Sequence, residues 1–219
     1  MNKSQLEKLF DQAASNLAGS KITSSLALGK PFELFALTVL LRRMLAYGYK
    51  ITAIPPHGQP ANRLVFGGGP CNADKSRYTH FQLDNGTEQC EAWVSVEVRT
   101  LSLQMKGGGV GLSGFHEFDI GIFRPLPSYP YKPQHDELVL GASCKHRGFA
   151  KEFLREALGL RRESALLRDP MPSLAPWFIG SVPAEPAAPI ILFSSDSKCI
   201  HYAAPADLMG VYVRRLVFP

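Results

Sequence analysis

With 219 residues, 45% hydrophobic and 20% charged side chains, the chain has the composition of one soluble globular domain with a single buried core. Its net charge of +5 and pI near 9.1 suit an anionic partner. The longest apolar run of its first strong helix, 34–41, is too short for a bilayer and is followed by Arg42 and Arg43, so no membrane association is expected.

The N-terminus mixes acids and bases and lacks the apolar centre of a signal peptide, and the four cysteines (Cys71, Cys90, Cys144, Cys199) show no close-spaced framework. Reduced thiols and a cytoplasmic location follow as expectations. Residues 3–18 have the spacing of a short amphipathic helix through Leu6, Leu9, Phe10, Ala13, Ala14 and Leu17. A second helix is predicted from about Pro31 to Tyr47, apolar nearly all round and therefore largely buried, with Gly48 at its end. Candidate strands follow at 50–54, 63–66, 78–83 and 92–104, separated by turn-rich segments. The glycine-rich stretch 106–114 reads as a flexible loop; it lacks the GxxxxGK[ST] pattern of a nucleotide-binding P-loop.

Strands at 117–123 and 137–146 come next, joined by a Pro/Tyr-rich loop. A helix at about 149–167 carries an apolar stripe of Phe149, Phe153, Leu154, Ala157, Leu158 and Leu160, and Pro170, Pro172 and Pro176 forbid its continuation. Residues 181–189 read as a loop before a strand at 190–194, and the segment from Pro205 as a short helix and a closing basic strand or tail. The order predicts an α/β fold, a mixed central sheet flanked by helices. The whole chain, 1–219, is read as one domain: a helical extension at 1–29, a core at 31–194 and a C-terminal segment at 195–219.

The chemistry concentrates between residues 115 and 163. Asp119 interrupts the apolar run FHEFDIGIF, and Lys145 ends the run ELVLGASCK. Strand alternation places Glu117, Asp119 and Gly121 on one face, opposite His116, Phe118, Ile120 and Ile122; Gly141, Ser143 and Lys145 likewise share a face. If the strands are neighbours, Asp119 would hold a hard divalent cation beside a phosphate. Lys145 would orient or help deprotonate a water and stabilise the phosphorane's negative charge. The plain alternative is a half-exposed strand with ordinary surface charges. Glu33 falls on the inward stripe of Leu37, Leu40 and Met44, where a carboxylate needs a partner, although a first-turn acid also complements the helix dipole. From Gly141 to Arg168 seven Lys/Arg face three acids, so most of the net charge is local. Within that segment Arg147, Lys151, Arg155 and Arg162 are candidate contacts to a nucleic-acid backbone.

The order Glu33 on a helix, Asp119 in a strand, a strand ending Ser143-Cys144-Lys145 and then a helix resembles the PD-(D/E)XK, or restriction-endonuclease-like, superfamily over residues 31–194. The resemblance implies a restriction-endonuclease-like fold and Mg²⁺-dependent (or Mn²⁺-supported) cleavage of DNA. It makes Glu33, Asp119, Ser143 and Lys145 the catalytic positions, and Asp119, Glu33 and the Cys144 carbonyl the metal ligands. It also admits a homodimer and protein partners in a restriction, anti-phage defence or repair system. Ser143 stands where the family has its second acid. Either another carboxylate compensates (Glu152 or Glu156 on the following helix, Glu117, or Glu97), or the domain is a catalytically degenerate module that binds DNA or serves as a subunit of a larger complex.

Overall fold

The computed structural model describes residues 26–60, 63–106 and 111–218, together with Lys8. Apart from Lys8, the helix expected at 3–18 lies outside the described residues, as do positions 107–110 of the glycine-rich stretch. Helix α1 (Leu26–Ala46) precedes strands β1 (Lys50–Ile54), β2 (His80–Asp84) and β3 (Gln89–Arg99). A short helix α2 (Leu101–Lys106), strand β4 (Phe115–Phe123) and strand β5 (Leu138–Lys145) follow. Helix α3 (Lys151–Ser164) leads to a separate two-stranded hairpin, β6 (Leu166–Pro172) and β7 (Ser181–Glu185). Strands β8 (Ile190–Ser194) and β9 (Val211–Arg215) complete the chain.

Seven strands form one mixed sheet in the order β1-β2-β3-β4-β5-β8-β9. Pairing is antiparallel from β1 to β5, each strand lying beside the one before it in the chain. It is parallel from β5 through β8 to β9, with α3 and the hairpin crossing between β5 and β8 and residues 195–210 crossing between β8 and β9. The sheet therefore extends past the expected core boundary at 194.

One face of the sheet is covered by α1. Phe32, Leu37, Leu40, Leu41 and Met44 pack with Ile51, Phe81, Ile120, Ile122, Leu140, Ala142 and Phe193. The other face is covered by α3, whose Phe153, Ala157 and Leu160 pack with Phe118, Leu138, Ile190, Leu192, Val211 and Val213. Strand β8, central among the parallel strands, is buried along its whole length, as a strand covered on both faces must be. The result is an α/β fold of three layers. Among the described residues no helix is long and apolar enough to cross a membrane.

Several elements depart from the pattern reading. Helix α1 begins at Leu26, so Pro31 lies inside it and supplies no N–H to the carbonyl four residues earlier. Glu33 is consequently beyond the first turn, and the helix-dipole explanation for it falls away. The strand expected over 92–104 stops at Arg99. Thr100 Oγ1 there accepts from the Leu103 amide at 3.2 Å, which caps α2. Residues 63–66 form no strand, although Val65 exchanges bonds with Thr79 through its amide and carbonyl. The long helix ends at Ser164, and Leu166 and Leu167 lie exposed in β6. A register shift between Leu167 and Met171 holds Pro170 out of the ladder, so a proline-containing strand is accommodated and 181–185 is its partner instead of a loop.

The alternation predicted for β4 breaks at Asp119. Phe118 packs with Val96 and Val98 on the α3 face, whereas Ile120 and Ile122 face α1. Opposite Asp119 stands Ser95, whose φ of 54° is in the left-handed region. The register runs from Val94↔Ile120 to Val96↔Phe118, and Val94 and Val96 likewise belong to opposite faces. A buried non-glycine residue in that conformation is uncommon and marks a place where the chain is held by its surroundings.

Candidate active site

Beyond Ile120↔Ala142 no further pair joins β4 to β5, and the side chain of Asp119 turns into the gap between the strands. Its Oδ2 accepts the Cys144 amide at 2.6 Å, a bond that fixes the carboxylate against the strand edge. The N–H and C=O of one strand residue project to the same side, so the Cys144 carbonyl shares that edge. The Ser143 hydroxyl lies 3.4 Å from Asp119 Oδ2 and 3.3 Å from Glu156 Oε1, within reach of either carboxylate. Lys145 Nζ donates to the same Glu156 Oε1 at 2.7 Å. Asp119 and Lys145 therefore meet at one side of the sheet, connected through Ser143 and Glu156.

Glu156 reaches this point because α3 turns its apolar stripe to the sheet. Phe153, Ala157 and Leu160 are buried, and Glu156 projects from the margin of that stripe. Of the four carboxylates weighed as replacements for the strand acid, Glu156 bonds both Ser143 and Lys145. Glu97 is paired with Lys132, Glu117 is bonded to Ser95, and Glu152 is exposed on α3.

The helix side of the site contains two groups that the sequence reading missed. Lys30 Nζ lies 2.5 Å from Glu33 Oε2 and 2.6 Å from Ser95 Oγ. The i,i+3 spacing of Lys30 and Glu33 was a usable signal for the first, and the single hydroxyl in the run AWVSV for the second. Ser95 Oγ thus accepts from Lys30 and donates to Glu117.

Electrostatics mark this cluster as an unusual place for carboxylates. Burial, then the nearby Asp119 charge, pushes the Glu33 carboxyl up from 4.5 to about 7, with Lys30 opposing. Burial and Asp119 also raise Glu117. Burial raises Asp119 itself, opposed by the Cys144 amide and by Lys145 and Lys30. Burial is the largest cause in all three, and neighbouring acids add to it. Burial also drives the Cys144 thiol well above its ordinary value, which removes it as a thiolate nucleophile.

The remaining site candidates spread outward from this centre. Arg147 is exposed, its guanidinium 4.5 Å from the Phe153 ring centroid, and Lys151, Arg155 and Arg162 are exposed along α3. Arg161, counted with them by charge, is buried, and its Nε donates to the Met209 carbonyl at 2.7 Å. It braces the C-terminal segment and takes no part in the basic surface.

Oxygen donors dominate the centre, where four carboxylates (Glu33, Glu117, Asp119, Glu156) meet two ammonium groups (Lys30, Lys145), a donor set of the type a hard divalent cation takes. Among the described residues no group of three or more His, Cys, Asp or Glu side chains is placed to hold a metal ion. Mg²⁺ ordinarily needs no such group, because one or two carboxylates with water and substrate phosphate suffice. No protein-family model, curated protein or solved structure matches the chain.

Proposed function

We propose that the protein is a divalent-metal-dependent nuclease of the PD-(D/E)XK, restriction-endonuclease-like class that hydrolyses DNA phosphodiesters. Glu156 supplies the carboxylate that Ser143 cannot. One observation carries this reading: Glu156 Oε1 stands 3.3 Å from the Ser143 hydroxyl and 2.7 Å from Lys145 Nζ. A helix-borne acid has arrived at the position where the strand is neutral. Asp119, Glu156 and the Cys144 carbonyl would hold Mg²⁺ or Mn²⁺, which when bound supplies Lewis-acid charge at the phosphate and an acidified water.

The chain's own groups have separable tasks. The Cys144 amide locks the Asp119 rotamer. The Ser143 hydroxyl, with one proton to give, donates to one of the two carboxylates at a time and holds it close to the other. Lys145 presents an ammonium to the non-bridging oxygens, where negative charge grows as the nucleophile adds. Arg147, Lys151, Arg155 and Arg162 offer exposed cations for the backbone beyond the cleaved bond. A cytoplasmic role in restriction, anti-phage defence or repair belongs to the same proposal.

Purified protein is expected to cut DNA with Mg²⁺ or Mn²⁺ and to lose that activity as Asp119→Ala or Lys145→Ala. Full cutting by both variants would refute the assignment. The exposure of Glu156, with 46% of its side chain accessible, favours a second reading in which the site is degenerate and the domain only binds DNA. That reading predicts salt-sensitive binding with no cleavage under any divalent metal.

A further inference from the structure

Two ammonium groups, not one, enter the carboxylate cluster. Lys145 arrives from β5 and bonds Glu156; Lys30 arrives from α1 and bonds Glu33 and Ser95. Lys30 is well enclosed, with 16% of its side chain accessible, and Glu33 with 13%. A lysine seldom gives up hydration unless acceptors surround its head group, and here two are within 2.6 Å. The second acceptor is built at some cost in backbone freedom, since buried Ser95 adopts a positive φ opposite Asp119. Its hydroxyl then links Lys30 to Glu117. The Glu33–Glu117 half of the cluster is thereby organised around a covalently attached cation.

We propose that Lys30 is a permanent counter-cation for this half of the site, standing where a second divalent ion would otherwise be drawn. The inference rests on the nuclease reading above. In this arrangement Glu33 is a ligand of Lys30, and the exchangeable cation is confined to the Asp119–Glu156 side. A divalent ion entering beside Glu33 would have to displace an ammonium from direct contact with the carboxylate or bear its repulsion at close range. Lys30 acts through Glu33 and Glu117, so it is a positioning residue. Its removal changes how many ions the protein takes up before it changes any bond-breaking step.

Mn²⁺ titration calorimetry on the full chain, paired with electron paramagnetic resonance counting of bound Mn²⁺, tests this. Lys30→Met is expected to bind one more Mn²⁺ per chain than the wild type, Lys30→Arg to keep the wild-type number, and Lys30→Met/Glu33→Gln to lose the added ion. Equal and non-zero stoichiometry in wild type and Lys30→Met overturns the proposal and leaves the nuclease reading standing. No Mn²⁺ bound by either overturns both. Should Lys30→Met fail to fold by circular dichroism, Glu33→Gln alone decides. Unchanged Mn²⁺ stoichiometry and affinity within twofold supports the assignment, and loss of the wild-type ion overturns it.

Discussion

Glu33→Gln gives the sharpest test of the site's electrostatics, because it swaps a buried carboxyl for a neutral group of nearly the same shape. Glu33 in the folded protein titrates near 7 against an ordinary 4.5. Between those values the folded state holds a proton that the unfolded chain has released. Stability from this group is therefore present below about pH 4.5 and is lost as pH rises through about 7. The whole displacement corresponds to about 3 kcal/mol. Wild type and Glu33→Gln compared by urea unfolding in EDTA, from pH 4.5 to 8, should diverge by about that amount, with the variant relatively more stable at the alkaline end. The Lys30 contact is already among the causes that set this midpoint, so the pH-dependent divergence reads the net effect of burial, Asp119 and Lys30. Carboxyl NMR of the wild type gives the titration midpoint directly. A stability difference that stays flat across the range, or a midpoint below 5, would refute the burial and repulsion assigned to Glu33.

Further outcomes follow from the same geometry. Glu156→Gln should lower cleavage by about 100-fold or more while leaving the fold intact, and adding Ser143→Glu to that variant should recover part of the loss, both read as kcat on a DNA substrate. Arg147→Ala and Lys151→Ala should each weaken DNA binding across all sequences and reduce the slope of log affinity against log salt by about 1. Gly141→Ala should destabilise by about 1–3 kcal/mol in chemical denaturation, because a Cβ there would meet the Phe118 ring at 2.5 Å.

Where side-chain period and strand length agree, the linear reading matched the structure closely. Strands β4, β5 and β8 and the bodies of α1 and α3 lie where their apolar patterns place them. The convergence of Asp119 with the end of β5 was likewise legible, since a lone acid in an apolar strand and a strand-terminal lysine are local signals. The misses share a different origin. The face switch at Asp119 depends on the backbone of Ser95, which lies on another strand and has no glycine to announce it. The β6–β7 hairpin is hidden because Pro170 and Pro172 argue against a strand; the register shift takes Pro170 out of the ladder, and Pro172 pairs with Ser181 at the strand's end. Lys30 escapes a helix read from Pro31, which starts one residue too late to include it. Glu156 stood among several acids until α3 docked and brought it to Lys145.

Helix α3 carries two kinds of group on one rigid rod: Glu156 toward the strand ends, and Lys151, Arg155 and Arg162 toward the outside. On the nuclease reading, an anionic polymer held by the outer residues would lie alongside the helix that carries Glu156, whose bonds to Ser143 and Lys145 are already made. The spacing between grip and acid is then fixed by the helix itself and needs no rearrangement on binding.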